Sequence, residues 1–177
     1  DAANKAIQSF SPSDFTVVEN GITRPVISVS CPPPVTPPVS VTFTFDISFS
    51  MTIDSRLANM KSASSQLVND MSYPPAASAI TTFGDNTTLV LPYTSNKADI
   101  LNTISGLTAS GGGTNFVGAF LNAGSGAIDV TKNLPGARYI VFMTDAFENL
   151  TAAEENSIIT AARAANIKVF TVSISPN

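Results

Sequence analysis

From residue 41 onward the spacing of apolar positions alternates between strand-like and helix-like periods. Residues 41–45 (VTFTF) form a short β-rich run. Residues 56–71 carry Leu57, Met60, Ala63, Leu67, Val68 and Met71 close to helical spacing, which predicts a helix with one apolar face. Residues 79–83 and 87–91 flank Gly84-Asp85-Asn86, the mark of an antiparallel hairpin. Residues 97–104 read as a short helix with Asn96 as its cap, since an Asn side chain can accept from the free first-turn amides. Residues 116–130 read as a weaker helix, interrupted by Gly124 and Gly126. The run 139–143 (YIVFM) is wholly apolar between polar neighbours, as a central parallel strand requires. Thr151 with Glu154 three residues later opens a helix over 151–165 with a capping box, and residues 168–174 read as another buried strand. Strands alternating with helices predict a doubly wound α/β domain: a mainly parallel sheet, helices on both faces, and one antiparallel edge hairpin.

The first forty residues follow another pattern. Phe15, Val17, Val26, Ile27 and Val29 are strand-like, and Asn20-Gly21 between them is a strong turn signal, so residues 14–30 read as a β-hairpin or a strand pair. Residues 31–40 (CPPPVTPPVS) contain five prolines in ten positions. Proline fixes φ and removes amide donors, which makes this segment a stiff extended connector. The expected division is an N-terminal β segment with its linker over 1–40 and the α/β domain over 41–177.

Composition narrows the chemistry. The 177 residues hold 44% hydrophobic positions, 12% charged residues and no histidine, with a net charge of −4. Without histidine there is no Ser-His-Asp or Cys-His arrangement and no imidazole metal site. Nine Lys and Arg scattered along an acidic chain make no basic stripe for nucleic acid. A single cysteine, Cys31, forms no internal disulfide and no zinc site. No apolar run approaches the roughly 20 residues that span a bilayer. Low charge with many small polar residues leans toward a secreted or surface protein.

The candidate chemistry lies in three segments. Asp46, Ser48 and Ser50 follow the first α/β strand in FDISFSM. Thr144 and Asp145 follow the apolar run 139–143. In an open α/β sheet ligands bind at the carboxyl ends of the strands, so two central parallel strands would bring Asp46 and Asp145 to one edge. Between them in sequence, Ser110-Gly111-Gly112-Gly113-Thr114-Asn115 allows a close backbone approach that would present Thr114 to the same point. Two carboxylates and three hydroxyls form a hard-oxygen donor set, suited to Mg²⁺, with Mn²⁺ and Ca²⁺ as alternatives. So many neutral donors leave the ion electrophilic, able to exchange a water for a partner's carboxylate.

Together FDISFSM, SGGGTNF and YIVFMTDAFEN resemble the metal-ion-dependent adhesion site of von Willebrand factor type A domains, over about residues 41–174. The family pattern of Asp-x-Ser-x-Ser, a Thr in a Gly-rich loop, and an Asp after a hydrophobic strand falls on Asp46, Ser48, Ser50, Thr114 and Asp145. The resemblance implies a Rossmann-like fold, with the metal held by Ser48, Ser50 and Thr114 and with Asp46 and Asp145 close by, often through water. Two departures stand out. Ala146 replaces the Gly that often follows the last Asp, and the chain ends where the family usually adds a further strand and a terminal helix. The expectation is therefore a trimmed chain or an edge covered by another segment, such as residues 15–30, with no switching through a terminal helix. The string DFTVVENG also resembles a segment that precedes such domains in bacterial secreted or envelope proteins.

The leading expectation is a non-enzymatic, metal-dependent binding module of a larger extracellular or cell-envelope chain, recruiting a protein with an exposed acidic residue, or a glycan. Phe49, Phe147 and Glu148 are the candidate contact rim, with Phe116 beside them; for Phe49 and Phe116 the core is the favoured place. The alternatives are a structural scaffold with a vestigial or purely stabilising metal site, and a metal-dependent phosphoryl-transfer or hydrolytic enzyme. Against the enzyme, Ser48 stands where Asp-nucleophile phosphatases generally carry a second Asp. The only basic residue expected near the three loops is Arg138. Asn86 and Asn149 open formal glycosylation sequons.

Overall fold

The computed structural model describes residues 10–30, 37–110, 112–146 and 150–174. Chain contacts separate two compact units between Thr36 and Pro37. In the first unit, strands β1 (Val17–Glu19) and β2 (Ile22–Arg24) pair antiparallel. Asn20 (φ 52°) and Gly21 (φ 80°) turn between them, both left-handed as a two-residue hairpin turn requires. Cys31 and most of the proline segment lie outside the described residues.

The second unit is a five-stranded sheet of β3 (Val39–Asp46), β4 (Ala76–Phe83), β5 (Thr87–Thr94), β6 (Ala137–Thr144) and β7 (Ile167–Ser173). The strand order is β5-β4-β3-β6-β7. All neighbours are parallel except β4 and β5, which form the antiparallel edge hairpin. Helices α1 (Arg56–Asp70) and α2 (Lys97–Gly106) contribute to one core; α3 (Phe116–Leu121), α4 (Ala127–Thr131) and α5 (Ala152–Ala164) contribute to the other. Helices therefore lie on both faces of the sheet, as the near-continuous burial of β3 and β4 demands.

Strand alternation sorts the two cores. Phe43 and Phe45 of β3, with Val141 and Met143 of β6, pack with Met60, Val68, Ile100 and Ile104. On the other face Ile140 and Phe142 pack with Phe83, Ala119, Phe120, Ile128 and Ile158. There Phe142 stacks on Phe83 at 4.8 Å and on Phe120 at 4.6 Å between centroids. Phe116 meets Phe142 edge-on at 5.2 Å, a favoured aromatic geometry. On this second face β3 presents threonine. The Thr42 and Thr131 hydroxyls lie 2.7 Å apart, and Thr81 donates to Thr44 at 3.0 Å, so these buried polar groups are satisfied.

Most of the elements expected from the sequence are present, with informative differences. β3 starts at Val39, two residues inside the segment expected to be linker. The weak helix over 116–130 is two helices, because Gly124 takes φ 78°, which a right-handed helix excludes. β7 is not buried: it lies at the sheet edge, with Phe170 54% exposed and residues 168–171 all exposed. An apolar run cannot distinguish a central strand from an edge strand. Among the described residues, no helix is long and apolar enough to cross a membrane.

Candidate metal centre

The register of the sheet builds the site. β3 and β6 run parallel with Phe45 opposite Met143, which carries Asp46 level with Thr144 and leaves Asp145 one residue beyond. Asp46 is fully buried. Its Oδ1 accepts from the Ser48 amide at 2.8 Å, and its Oδ2 accepts from the Thr144 hydroxyl at 2.5 Å. Thr144 in turn accepts from the Ala146 amide at 3.0 Å. Burial pushes the Asp46 carboxyl above its ordinary range, against the hydrogen bonds from Ser48 and Thr144; the nearby Asp145 charge adds to the rise.

After β3 the chain turns through a short 3-10 helix (Phe49–Thr52), which sets the two serines side by side. The Ser48 and Ser50 hydroxyls are 3.2 Å apart, and Ser50 donates to Asp145 Oδ1 at 2.8 Å. Four of the five expected residues thus form one connected cluster: Asp46 to Ser48, Ser48 to Ser50, and Ser50 to Asp145. Thr114 makes no hydrogen bond to the other four. Its loop is anchored beside them: the Phe49 amide donates to the Gly112 carbonyl at 3.3 Å, and the Ser110 amide donates to the Ile47 carbonyl at 2.9 Å.

A second anchor comes from the β4–β5 turn. Asp85 Oδ1 accepts from the Gly113 amide at 2.7 Å, and the Asn115 amide donates to the Gly84 carbonyl at 3.0 Å. Gly112 has φ 86°, and a Cβ there would fall 2.2 Å from Asp85 Oδ2. Only glycine satisfies both the left-handed backbone and the contact. Asn115 then caps α3 by accepting from the Gly118 amide at 2.8 Å. The hairpin signal in Gly84-Asp85-Asn86 foretold the turn, but not that its carboxylate braces the glycine loop.

One charge in the cluster was not foreseen. Arg56, the first residue of α1, donates through Nη1 to Asp145 Oδ2. The carboxylate side chain is 0% exposed and the arginine 19%. Arg56 Nη2 lies 3.8 Å from Asp54 Oδ2, and Nε is buried without a hydrogen-bond partner. Asp54 (φ 49°) and Ser55 (φ 58°) are both left-handed just before the helix, and this double turn brings Arg56 back toward the site. Arg138, the basic residue expected here, is at the opposite edge, near the start of β6 beside Ile167, with its guanidinium on the Lys132 carbonyl.

The rim residues divide. Phe49 is 62% exposed and Ile53 41%, so Phe49 is a surface residue and Ile53 joins it. Phe116 belongs to the aromatic cluster around Phe142. Phe147, Glu148 and Asn149 lie outside the described residues.

The donor set fits a hard cation. Among the described residues no three His, Cys, Asp or Glu side chains converge on a metal position; an ion held here would take hydroxyl oxygens of Ser48, Ser50 and Thr114 beside the two aspartates. That combination favours Mg²⁺, Mn²⁺ or Ca²⁺ over soft metals. Ser50 can give its proton to Asp145 and still offer lone pairs to an ion.

Residues 41–148 match the family model of the von Willebrand factor type A domain. No curated protein matches the chain in sequence. Several solved structures share its fold. An aerotolerance-related membrane protein from Bacteroides fragilis superposes with a TM-score of 0.64 at 23% identity, over 77% of this chain and 67% of its own. The von Willebrand factor domain of a type V pili tip protein from Porphyromonas gingivalis gives 0.56 at 22%, over 67% of this chain and 44% of its own. Proximal thread matrix protein 1 from the mussel byssus, solved with a zinc-occupied metal-ion-dependent adhesion site, gives 0.59 at 18%, over 77% and 38%. The chain thus spans less than half the length of the latter two. With the family model covering residues 41–148, most of the α/β unit, the chain belongs to the von Willebrand factor type A domain family.

Proposed function

We propose that this domain is a divalent-cation-dependent binding module that recruits an acidic group of a protein partner. The observation that carries the reading is the connected cluster Asp46–Ser48–Ser50–Asp145 at the carboxyl edge of two adjacent parallel strands, with the Thr114 loop anchored beside it. Ser48, Ser50 and Thr114 would hold the ion, and Asp46 and Asp145 would orient those hydroxyls and balance its charge. When bound, the ion supplies a Lewis-acidic position that can take up a partner's carboxylate. Mg²⁺ is the favoured metal, because it takes few carboxylates and keeps exchangeable waters. Phe49 and Ile53 would form an apolar collar for the partner, since exposed aromatics beside a polar centre make good anchors.

Catalysis is not part of the reading. Both Asp46 oxygens are already engaged as acceptors, and histidine, the commonest general base, is absent from the sequence. The α/β unit would act as one module, over residues 41–177, of a larger extracellular or envelope protein. Its support is the membrane, pilus-tip and byssus origins of the structural relatives.

The test is titration of metal-stripped protein with Mg²⁺, Mn²⁺ and Ca²⁺, followed by thermal unfolding. Saturable stabilisation that Asp46→Ala abolishes is expected. No response to any of the three ions sinks the metal-dependent reading and leaves a scaffold.

A further inference from the structure

We propose that Arg56 is a resident counter-cation of the site, one that holds the metal-free domain together and competes with the divalent ion for Asp145. The inference rests on the metal-dependent reading above and adds a residue outside the five-residue motif.

Two buried carboxylates stand within one hydrogen-bonded cluster, and an uncompensated buried charge is expensive. Asp46 is compensated by a backbone amide and a hydroxyl. Asp145 has one oxygen on the Ser50 hydroxyl and the other on the Arg56 guanidinium. Arg56 thus provides, without any metal, the positive charge that a divalent ion would otherwise bring. The same charge repels an arriving ion and engages the carboxylate whose charge would balance it.

The pair is also built to be given up. An arginine fixed as a permanent structural tie usually engages its planar fork in two parallel bonds. Here Nη1 alone bonds Asp145, Nε is buried without a partner, and Nη2 stands 3.8 Å from Asp54. Asp54 is 58% exposed, so it offers the guanidinium a solvated resting place when the ion takes over the balancing of Asp145. Arg56 is therefore an affinity-setting residue: it weakens metal uptake and stabilises the domain before uptake.

The test uses the full chain, stripped of metal, as wild type, Arg56→Gln and Arg56→Lys. Calorimetric titration with MgCl₂ is paired with thermal unfolding in metal-free and Mg²⁺-saturated buffer. Arg56→Gln is expected to bind Mg²⁺ at least about tenfold more tightly, the scale on which a neighbouring charge shifts a carboxylate equilibrium. Its metal-free Tm falls, and its gain in Tm on saturation exceeds that of wild type. Arg56→Lys, which keeps the charge, stays close to wild type in affinity. Wild type that binds Mg²⁺ while Arg56→Gln binds equally or more weakly overturns the inference and leaves the metal-dependent reading standing. If neither protein responds to Mg²⁺, Mn²⁺ or Ca²⁺, that reading fails and the inference with it. Should Arg56→Gln be unfolded without metal, recovery of its folded circular-dichroism signal on adding MgCl₂ supports the proposal. A variant that stays unfolded in MgCl₂ overturns it, because Arg56 is then needed by both states.

Discussion

The Thr144 hydroxyl donates to the Asp46 carboxylate across adjacent parallel strands, at 2.5 Å and out of reach of solvent. A residue beside the motif thus satisfies half of the carboxylate that begins it. Thr144→Val keeps the shape and removes the donor, leaving one Asp46 oxygen buried and unsatisfied. The expected loss is about 1–3 kcal/mol of unfolding free energy, read from urea denaturation of metal-free protein. Unchanged stability would mean that water reaches Asp46.

Burial raises the Asp46 carboxyl above its ordinary value of 3.8, so the ionised form opposes folding at neutral pH. The native state then binds the proton more tightly than the unfolded chain. Stability therefore rises as pH falls through the native-state value toward 3.8, and is flat in this respect below it. Asp46→Asn removes the charge. Metal-free Asp46→Asn should melt higher than wild type at neutral pH, with the gap closing on acidification, and should lose its response to Mg²⁺. Taking the difference between the two proteins cancels groups such as Asp129, whose carboxyl the Lys132 hydrogen bond holds low.

Gly112 carries two constraints and Gly21 only one. Both have positive φ, but a Cβ at Gly21 meets nothing within 4 Å, whereas at Gly112 it meets Asp85. Gly112→Ala should cost about 1–2 kcal/mol from the backbone alone, and more from displacing Asp85. It should also blunt the thermal response to metal by moving Thr114. Gly21→Ala should leave that response intact. Equal metal responses in the two variants would separate the loop from the site.

Phe49 is exposed beside the serines, and surface substitutions of this kind usually change stability by less than about 0.5 kcal/mol. Phe49→Ser should therefore keep the wild-type melting curve and Mg²⁺ affinity while losing capture of an acidic protein partner on a sensor surface. Full retention of partner binding would remove Phe49 from the rim.

Much of this was legible in the sequence, because it depends on local patterns. Strand and helix periods, the Asn20-Gly21 turn, the Asn96 cap and the Thr151–Glu154 capping box each involve residues a few positions apart. The convergence of Asp46, Ser48, Ser50 and Asp145 was legible as well, since parallel strands carry their carboxyl ends to one edge. Contacts set by long-range register were not. Arg56 meets Asp145 across 89 positions and Asp85 meets Gly113 across 28, and neither spacing leaves a mark on periodicity. An arginine opening the helix ten residues after Asp46 was the available clue. The exposure of β7 escaped because strand order, and not hydrophobicity, decides which strand is outermost.

The two-sided character of β3 ties assembly of the site to correct threading of the sheet. A slip of one residue would drive Phe43 and Phe45 into the hydroxyl layer and turn Thr42 and Thr44 toward the other core. The pairs Thr42–Thr131 and Thr44–Thr81 would be stranded without partners, and Asp46 would face away from Thr144. Misthreaded chains are thus penalised twice, in packing and in orphaned hydroxyls. A cleanly folding central strand therefore also keeps the aspartate aimed correctly.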